Sequence, residues 1–182
     1  RSLSLRAKLL AVLLPAIMAL VALQVYAALH YRGYVDASRE TAARAERATH
    51  AALEGQVHFK KQVQEWKNVL LRGHDTSDYA KYRSQFEDEE RATREAIGRL
   101  LELLEEGDAG REIALRFLTA HRRLGVRYRE ALATFETEPS RSDAAWNTDR
   151  LVRGIDREPT DLLDEVVLQV LPSRDDRLAA IE

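Results

Sequence analysis

The chain has 182 residues, no cysteine and a formal net charge of −2, with 32% of its residues charged. This charge balance argues against a nucleic-acid-binding protein held by bulk positive charge, and the lack of cysteine excludes disulfides, thiolate metal sites and covalently attached c-type haem. The length allows one domain and a membrane segment, and because the first residue is not methionine we expect a fragment or a processed form.

The first predicted element is a membrane-spanning helix over residues 9–29, a run without charge. A helix needs about 20 apolar residues to cross the hydrocarbon core of a bilayer. Basic residues are concentrated before the run, at Arg1, Arg6 and Lys8, whereas Arg32 follows it. An excess of basic residues marks the cytoplasmic side of a membrane. We therefore expect everything after the run to lie on the other side.

A cleaved signal peptide is the alternative for this segment, because Val25-Tyr26-Ala27 resembles a small-residue cleavage site. We prefer an uncleaved anchor, since the helical pattern continues without a break through His30 and Tyr31, which supply side chains suited to a membrane surface. The predicted organisation is thus a cytoplasmic stub (1–8), a transmembrane helix (9–29) and an extracytoplasmic domain (30–182).

Beyond the membrane the first helix is predicted to continue to about Arg72. Its small and apolar residues recur at alternating steps of three and four, which is typical of a helix packed along its length on near-parallel neighbours. The residues in this stripe are Ala42, Ala45, Thr49, Ala52, Gln56, Phe59, Val63, Trp66 and Leu70. Gly73 stands where a helix cap is expected, and residues 74–78 form a turn rich in N-capping side chains.

Three further helical sections follow, over about 79–105, 113–135 and 142–182. No segment alternates with a period of two, so we predict an all-α fold. Short connections make successive helices antiparallel neighbours, which predicts an up-down-up-down four-helix bundle whose first helix is continuous with the transmembrane helix. Candidate breaks or kinks in the fourth section are Gly154, Pro159 and Pro172.

Antiparallel pairing of the first and fourth sections brings basic and aromatic side chains to one level of the bundle. The candidate ligand-binding residues are Lys60, Gln64, Trp66, Lys67, Asn68, Trp146, Arg150 and Arg153. Guanidinium groups bind carboxylates and phosphates bidentately, and tryptophan limits the access of water, so a small anionic ligand is predicted. The alternative is that the basic groups are solvated and paired with nearby carboxylates, and that Trp66 is a core residue.

Metal, haem and catalytic chemistry have weaker candidates. His50, Glu54 and His58 share a helical face, but three ligands from one helix do not complete a structural metal site, so no metal is predicted. His121 could ligate b-type haem, yet no spacing singles it out, and no cofactor is predicted. The chain has no glycine-rich phosphate loop, nucleophile elbow or histidine metal motif, and we do not expect an enzyme.

Two segments carry a resemblance to a known family: LSLRAK (3–8), which leads into the span, and QVQEWKNVLLRG (62–73), which ends the first helix. With a helical bundle of this size, they resemble the periplasmic sensing domain of bacterial methyl-accepting chemotaxis receptors. The resemblance implies an inner-membrane homodimer with its bundle in the periplasm and a ligand site near the membrane-distal end of the dimer interface.

The same resemblance implies that ligand binding reaches the cytoplasm by helix displacement. Downstream parts, absent from this chain, would bind a coupling protein and a histidine kinase, and residues 9–29 would contact membrane lipid. Similar bundles occur in sensor histidine kinases and cyclic-dinucleotide enzymes, which are alternative outputs. A membrane-tethered helical module for dimerisation or protein interaction is the alternative from a different class.

Overall fold

The computed structural model describes residues 4–137 and 141–171. Within these ranges the chain forms five α-helices and no strand, which confirms the predicted all-α class. The helices are α1 (Leu5–Arg72), α2 (Thr76–Leu103), α3 (Ala109–Thr137), α4 (Arg141–Val152) and α5 (Arg157–Val170).

The chain divides into two compact units, Arg1–Ala43 and Arg44–Glu182. Helix α1 begins in the first unit, where its apolar side chains are exposed. Of the helices described, α1 alone is long and apolar enough to cross a membrane: it contains a stretch of mean hydropathy 1.8 in which no residue is buried. A signal sequence near an N-terminus would have the same properties. The assignment of residues 9–29 to a membrane therefore stays a prediction.

The connection between α1 and α2 follows from its capping residues. Helix α1 ends at Arg72, as predicted, and the Gly73 amide donates a hydrogen bond to the Val69 carbonyl at 2.8 Å. The Asp75 carboxylate then accepts hydrogen bonds from the amides of Ser77 (2.8 Å) and Asp78 (3.1 Å). These two bonds lower the pKa of Asp75, that from Asp78 contributing most. Because Asp75 is the N-cap, α2 starts a few residues before the predicted position.

In the second unit α1 and α2 pack side by side with opposite residue order. Near their connection, the Arg72 guanidinium donates a hydrogen bond to the Tyr82 hydroxyl at 2.6 Å. Farther from it, Glu54 pairs with Arg99 at 2.8 Å. Residue numbers therefore fall along α1 as they rise along α2.

Helix α5 returns along the same part of α1. The Thr49 hydroxyl donates to the Val170 carbonyl at 2.9 Å, and the Gln56 side-chain amide donates to Asp164 at 2.6 Å. Residue numbers again run in opposite directions on the two helices. The α1 surface at this level is lined by small buried residues, Ala48, Ala51 and Ala52, which allow close approach of neighbouring backbones.

The core of the second unit is aromatic at its centre. The largest buried rings come from α1, α2 and α3: Phe59, Trp66, Phe86, Phe117 and Tyr128. Leucine and valine side chains of α5 complete the core below them. Burial of one such aromatic side chain stabilises a fold by roughly 1.5–3 kcal/mol, so this cluster is the main reason for the helices to associate.

The predicted fourth helical section is two helices, α4 and α5, separated by a turn at 153–156. Gly154 adopts φ +77°, a conformation that ends a helix and that side chains with a Cβ disfavour. Pro159 lies in the first turn of α5, where the missing amide hydrogen costs no helical hydrogen bond. The turn therefore arises at Gly154, and Pro159 is compatible with the helix that follows. Pro172 lies outside the described residues.

Replacement of Gly154 with alanine should lower the free energy of unfolding by about 1 kcal/mol, because its positive φ brings a Cβ against the backbone. Gly98 is the matched control: it lies inside α2, and a Cβ there meets nothing within 4 Å. Gly98→Ala should raise the free energy of unfolding by about 0.5–1 kcal/mol, because alanine is more favourable than glycine inside a helix. Thermal unfolding followed by circular dichroism would measure both, and equal shifts of the same sign would contradict the assignment.

Candidate functional site

Helix α1 presents an exposed stripe on the side away from the core of the second unit. Its members, spaced by steps of three and four, are Leu53, Val57, Lys60, Gln64, Lys67 and Leu71, and all are exposed. We call this set the outer stripe. Three of its members were predicted to bind ligand, and three are apolar side chains left in contact with water. The stripe combines the pattern of a helix-pairing seam with two cations.

The two lysines of the outer stripe are free to take part in binding. Among the described residues, no ion pair or hydrogen bond engages the ammonium groups of Lys60 and Lys67. Gln64 makes a long hydrogen bond to Asn68 at 3.5 Å, and Asn68 donates to Glu65 at 2.9 Å. The alternative prediction, that the α1 lysines pair with neighbouring carboxylates, is therefore not observed among the described side chains.

Trp66 lies in the core, with 3% of its surface exposed. Its ring stacks on Tyr128, with 4.3 Å between centroids and 15° between planes, and it contacts Phe86 at 6.1 Å. Burial raises the pKa of Tyr128, and Asp156 and Asp149 raise it further. Trp66 was considered both as a ligand-binding residue and as a core residue. Its packing is that of a core residue, next to the outer stripe.

The predicted α4 residues form a separate exposed group. Trp146 is 58% exposed, and the Arg150 guanidinium carbon lies 4.6 Å from its ring centroid, a cation–π contact. Arg153 donates to Asp149 through Nε (3.1 Å) and Nη2 (2.8 Å), as the alternative of local pairing predicted. Among the described side chains, no hydrogen bond, ion pair or ring contact joins this group to Lys60, Gln64 or Lys67.

A cleft of about 700 Å³ opens where the ends of α1, α2 and α3 approach the start of α4. One wall is the stacked pair Tyr79 and Phe135, whose rings are 6.0 Å apart. The Tyr79 hydroxyl donates to Glu136, which also pairs with Arg83 at 3.0 Å. Burial raises the pKa of Tyr79 to about 12, with Glu136 contributing, so its hydroxyl stays protonated. We call this the distal cleft, and its mixed lining suits a small amphipathic molecule.

Sequence reasoning missed the distal cleft because its lining comes from the ends of several helices. Gly73 was the available signal: its backbone lies so close to Tyr79 and Phe135 that an added Cβ would be 3.0 Å and 3.2 Å from their rings. A glycine directly after a helix was interpreted only as a cap. Its second role, close approach of backbone to aromatic rings, depends on a partner helix that periodicity does not identify.

A buried polar pair joins α1 to α3 below this region. His121 is 1% exposed and donates from Nε2 to the Gln62 side-chain oxygen at 2.7 Å, while its ring stacks on Phe117. Burial lowers the pKa of His121 to about 4, and Arg94 and Arg129 lower it further. The imidazole is therefore neutral at neutral pH. Its Nδ1 and the Gln62 Nε2 have no hydrogen-bond partner among the described residues.

The predicted cluster on α1, His50, Glu54 and His58, is paired with a carboxylate and an arginine of α2. His58 Nδ1 lies 2.5 Å from Glu89, and its Nε2 is 3.9 Å from Glu54. Glu54 is itself paired with Arg99, whose positive charge opposes a second cation at this position. Within 4–137 and 141–171, no group of three histidine or acidic side chains is arranged to hold a metal ion.

Comparison with known proteins gives one informative similarity. The methyl-accepting chemotaxis protein CtpH of Pseudomonas aeruginosa is 40% identical over 157 residues, which cover 86% of this chain and 27% of that protein. The chain thus spans about a quarter of the length of its relative. No family model and no solved structure matches the chain. The similarity supports a relationship of this chain to methyl-accepting chemotaxis receptors.

Proposed function

We propose that this chain is the ligand-sensing part of a chemotaxis receptor, anchored in the bacterial inner membrane by residues 9–29, with residues 30–182 in the periplasm. The observation that carries the proposal is the 40% identity with a methyl-accepting chemotaxis protein over 157 residues. The apolar start of α1, preceded by basic residues, supports the membrane anchor and its orientation.

The sensing domain is an up-down-up-down bundle in which α4 and α5 together serve as the fourth helix. The opposite residue order of α1 with α2 and of α1 with α5 supports this arrangement. Two copies form a homodimer through the outer stripe. Its three apolar side chains lose contact with water in the dimer, and its spacing is that of a helix-pairing seam.

A small anion binds at this dimer interface, near the membrane-distal end. Lys60, Gln64 and Lys67 of each copy supply two unpaired ammonium groups and an amide, so the dimer concentrates four cations along one seam. Gln64 makes a long hydrogen bond to Asn68 at 3.5 Å, and Trp66 supports the helix face from the core. The α4 residues add two further cations at the side of the site, Arg150 and Arg153, together with the aromatic ring of Trp146.

Binding changes signalling only through a difference in affinity between two positions of the helices. An anion that bridges two α1 helices favours the position in which their lysines approach each other. The resulting helix displacement passes to the membrane span, and from there to a coupling protein and a histidine kinase through parts absent from this chain.

The Lys67→Ala variant should weaken anion binding about tenfold, because it removes a cation from each half of the site. The test is thermal unfolding of the chain in lipid nanodiscs with a panel of carboxylate and phosphate anions, since a bound ligand raises the melting temperature. Lys61→Ala is the matched control: Lys61 is exposed on the same helix but lies off the outer stripe. No stabilisation by any anion, or equal losses in both variants, would contradict the proposed site.

A dimerisation or protein-interaction module is the second candidate, favoured by the three exposed apolar residues of the outer stripe. It predicts that Val57→Asp disrupts the dimer while no small anion changes the melting temperature. A sensor domain of a histidine kinase or cyclic-dinucleotide enzyme is a third. The sequence that follows Glu182 in the full protein distinguishes these outputs, because each has a different cytoplasmic domain.

A further inference from the structure

A second concave surface lies on the flank of the second unit, where α3 faces the turn between α4 and α5. It has a volume of about 660 Å³. We call it the lateral cleft. Its floor is apolar, with Ala120 and Leu124 on one side and Ile155 on the other. Gly154 lies next to Ile155 in the lining, and its φ of +77° turns the backbone around the cleft.

The rim of the lateral cleft is basic. Three arginines of α3 contribute to it, Arg122, Arg123 and Arg127. Arg123 directs one guanidinium nitrogen to both oxygens of Glu158, each at 2.9 Å. Arg127 donates to the Leu151 carbonyl at 3.4 Å. Arg122 makes no ion pair or hydrogen bond within the described part of the chain, so one guanidinium at the rim is free.

The Arg123–Glu158 pair shows what kind of group the rim accepts. Both side chains are mostly exposed, at 65% and 63%. An exposed ion pair contributes little net free energy, because each partner is well solvated when apart. Another carboxylate can therefore replace Glu158 on Arg123 at low cost, provided that it makes contacts that Glu158 does not make. The free guanidinium of Arg122 and the apolar floor are two such contacts.

We propose that the lateral cleft binds an amphipathic carboxylate, a small anion with an apolar tail. The carboxylate replaces that of Glu158 on Arg123 and contacts Arg122, while the tail covers Leu124 and Ile155. This site lies within one protomer and is independent of the anion site proposed at the outer stripe. A ligand bound here contacts both α3 and the turn that leads into α5, so it takes the place of the ion pair that links these helices.

Hexanoate is a suitable probe, with the full chain in lipid nanodiscs and its isoleucine δ1 methyl groups labelled for NMR. The chain has five isoleucines, of which Ile155 lines the cleft and Ile97 and Ile113 are buried in the core. Hexanoate should shift the Ile155 signal saturably and leave the two core signals in place. Acetate, which lacks the tail, and 1-hexanol, which lacks the charge, should each bind at least about tenfold more weakly.

Two classes of variant make the test specific. Arg122→Gln and Arg123→Gln should weaken hexanoate binding about tenfold, whereas Glu158→Gln should tighten it roughly threefold by removing the competing carboxylate. Arg116→Gln is the matched control, since Arg116 is exposed on α3 but does not line the cleft. Unchanged Ile97 and Ile113 signals report that each variant is folded.

The proposal is overturned if Ile155 does not shift saturably, if 1-hexanol binds as well as hexanoate, or if Glu158→Gln weakens binding. Empty nanodiscs give the background from partition of hexanoate into lipid. Lys67→Ala should leave hexanoate binding unchanged, which separates the lateral cleft from the site at the outer stripe. A loss of hexanoate binding in Lys67→Ala would show that the probe occupies the outer stripe instead, and would overturn the assignment.

Discussion

Replacement of Trp66 with alanine should lower the free energy of unfolding by about 3–5 kcal/mol, the range for removal of a large aromatic side chain from a packed core. The indole ring is stacked on Tyr128 at 4.3 Å and contacts Phe86 at 6.1 Å, so its loss leaves a cavity between α1, α2 and α3. Rings already held by neighbours on two helices cannot collapse into the space. Chemical denaturation of the chain in detergent, monitored by circular dichroism, would measure the difference.

Trp146→Ala is the matched control for this experiment, because the same residue type is 58% exposed on α4. Its effect should stay within about 0.5 kcal/mol, as for most surface substitutions. The pair also separates the two roles considered for Trp66. If Trp66→Ala left stability unchanged and abolished stabilisation by anions, the ring would be a wall of the ligand site, and its assignment to the core would be wrong.

Acidification should destabilise the bundle through His121, by about 3 kcal/mol over the full transition. The pKa of His121 is lowered to about 4 in the folded protein from an ordinary value of 6.5. Between these two values the unfolded chain binds a proton that the folded protein does not. The contribution of neutral His121 to the free energy of unfolding is therefore fully present above about pH 6.5 and is lost as the pH falls to about 4.

The His121→Gln variant isolates this contribution. Glutamine does not titrate, so the free energy of unfolding of the variant should vary less between pH 6.5 and pH 4 than that of the parent chain, by about 3 kcal/mol. His50→Gln is the control, since it removes a histidine whose side chain is 81% exposed instead of buried. Denaturation series at several pH values provide the measurement. Parallel curves for His121→Gln and the parent would contradict a buried, neutral histidine.

Helix ends could be predicted from the sequence because they depend on neighbouring residues. Gly73 and Asp75 act within a few residues of the end of α1, and α1 ends where these residues predicted. The break at Gly154 was a candidate for the same reason, although a separate α5 was not predicted. Caps and turns are local in sequence, so one sequence suffices to find them.

The core stripe of α1 was only partly predicted. Ala52, Phe59 and Trp66 are buried as expected, whereas Ala45 is exposed and the unpredicted Gln62 is fully buried. A polar side chain is assigned to the surface by periodicity alone, because its partner is unknown. Gln62 is buried because His121, on another helix, donates a hydrogen bond to it.

The candidate site shows the same limit. Lys60, Gln64 and Lys67 were predicted to share a helix face, and they do, because helical spacing alone determines it. The level of α4 relative to α1 depends on the turn at Gly154 and on packing through α3. Contacts between the two predicted groups could therefore not be derived from spacing. The lateral cleft depends on the same turn, and no motif marked it.

The hydrogen bond between His121 and Gln62 fixes the axial alignment of α1 and α3. A slip by one helical turn, about 5.4 Å, would separate two atoms that now lie 2.7 Å apart. It would also leave two buried polar groups unpaired, at a cost of about 1–3 kcal/mol each. Within the second unit, a displacement of α1 along its axis is therefore expected to carry α3 with it.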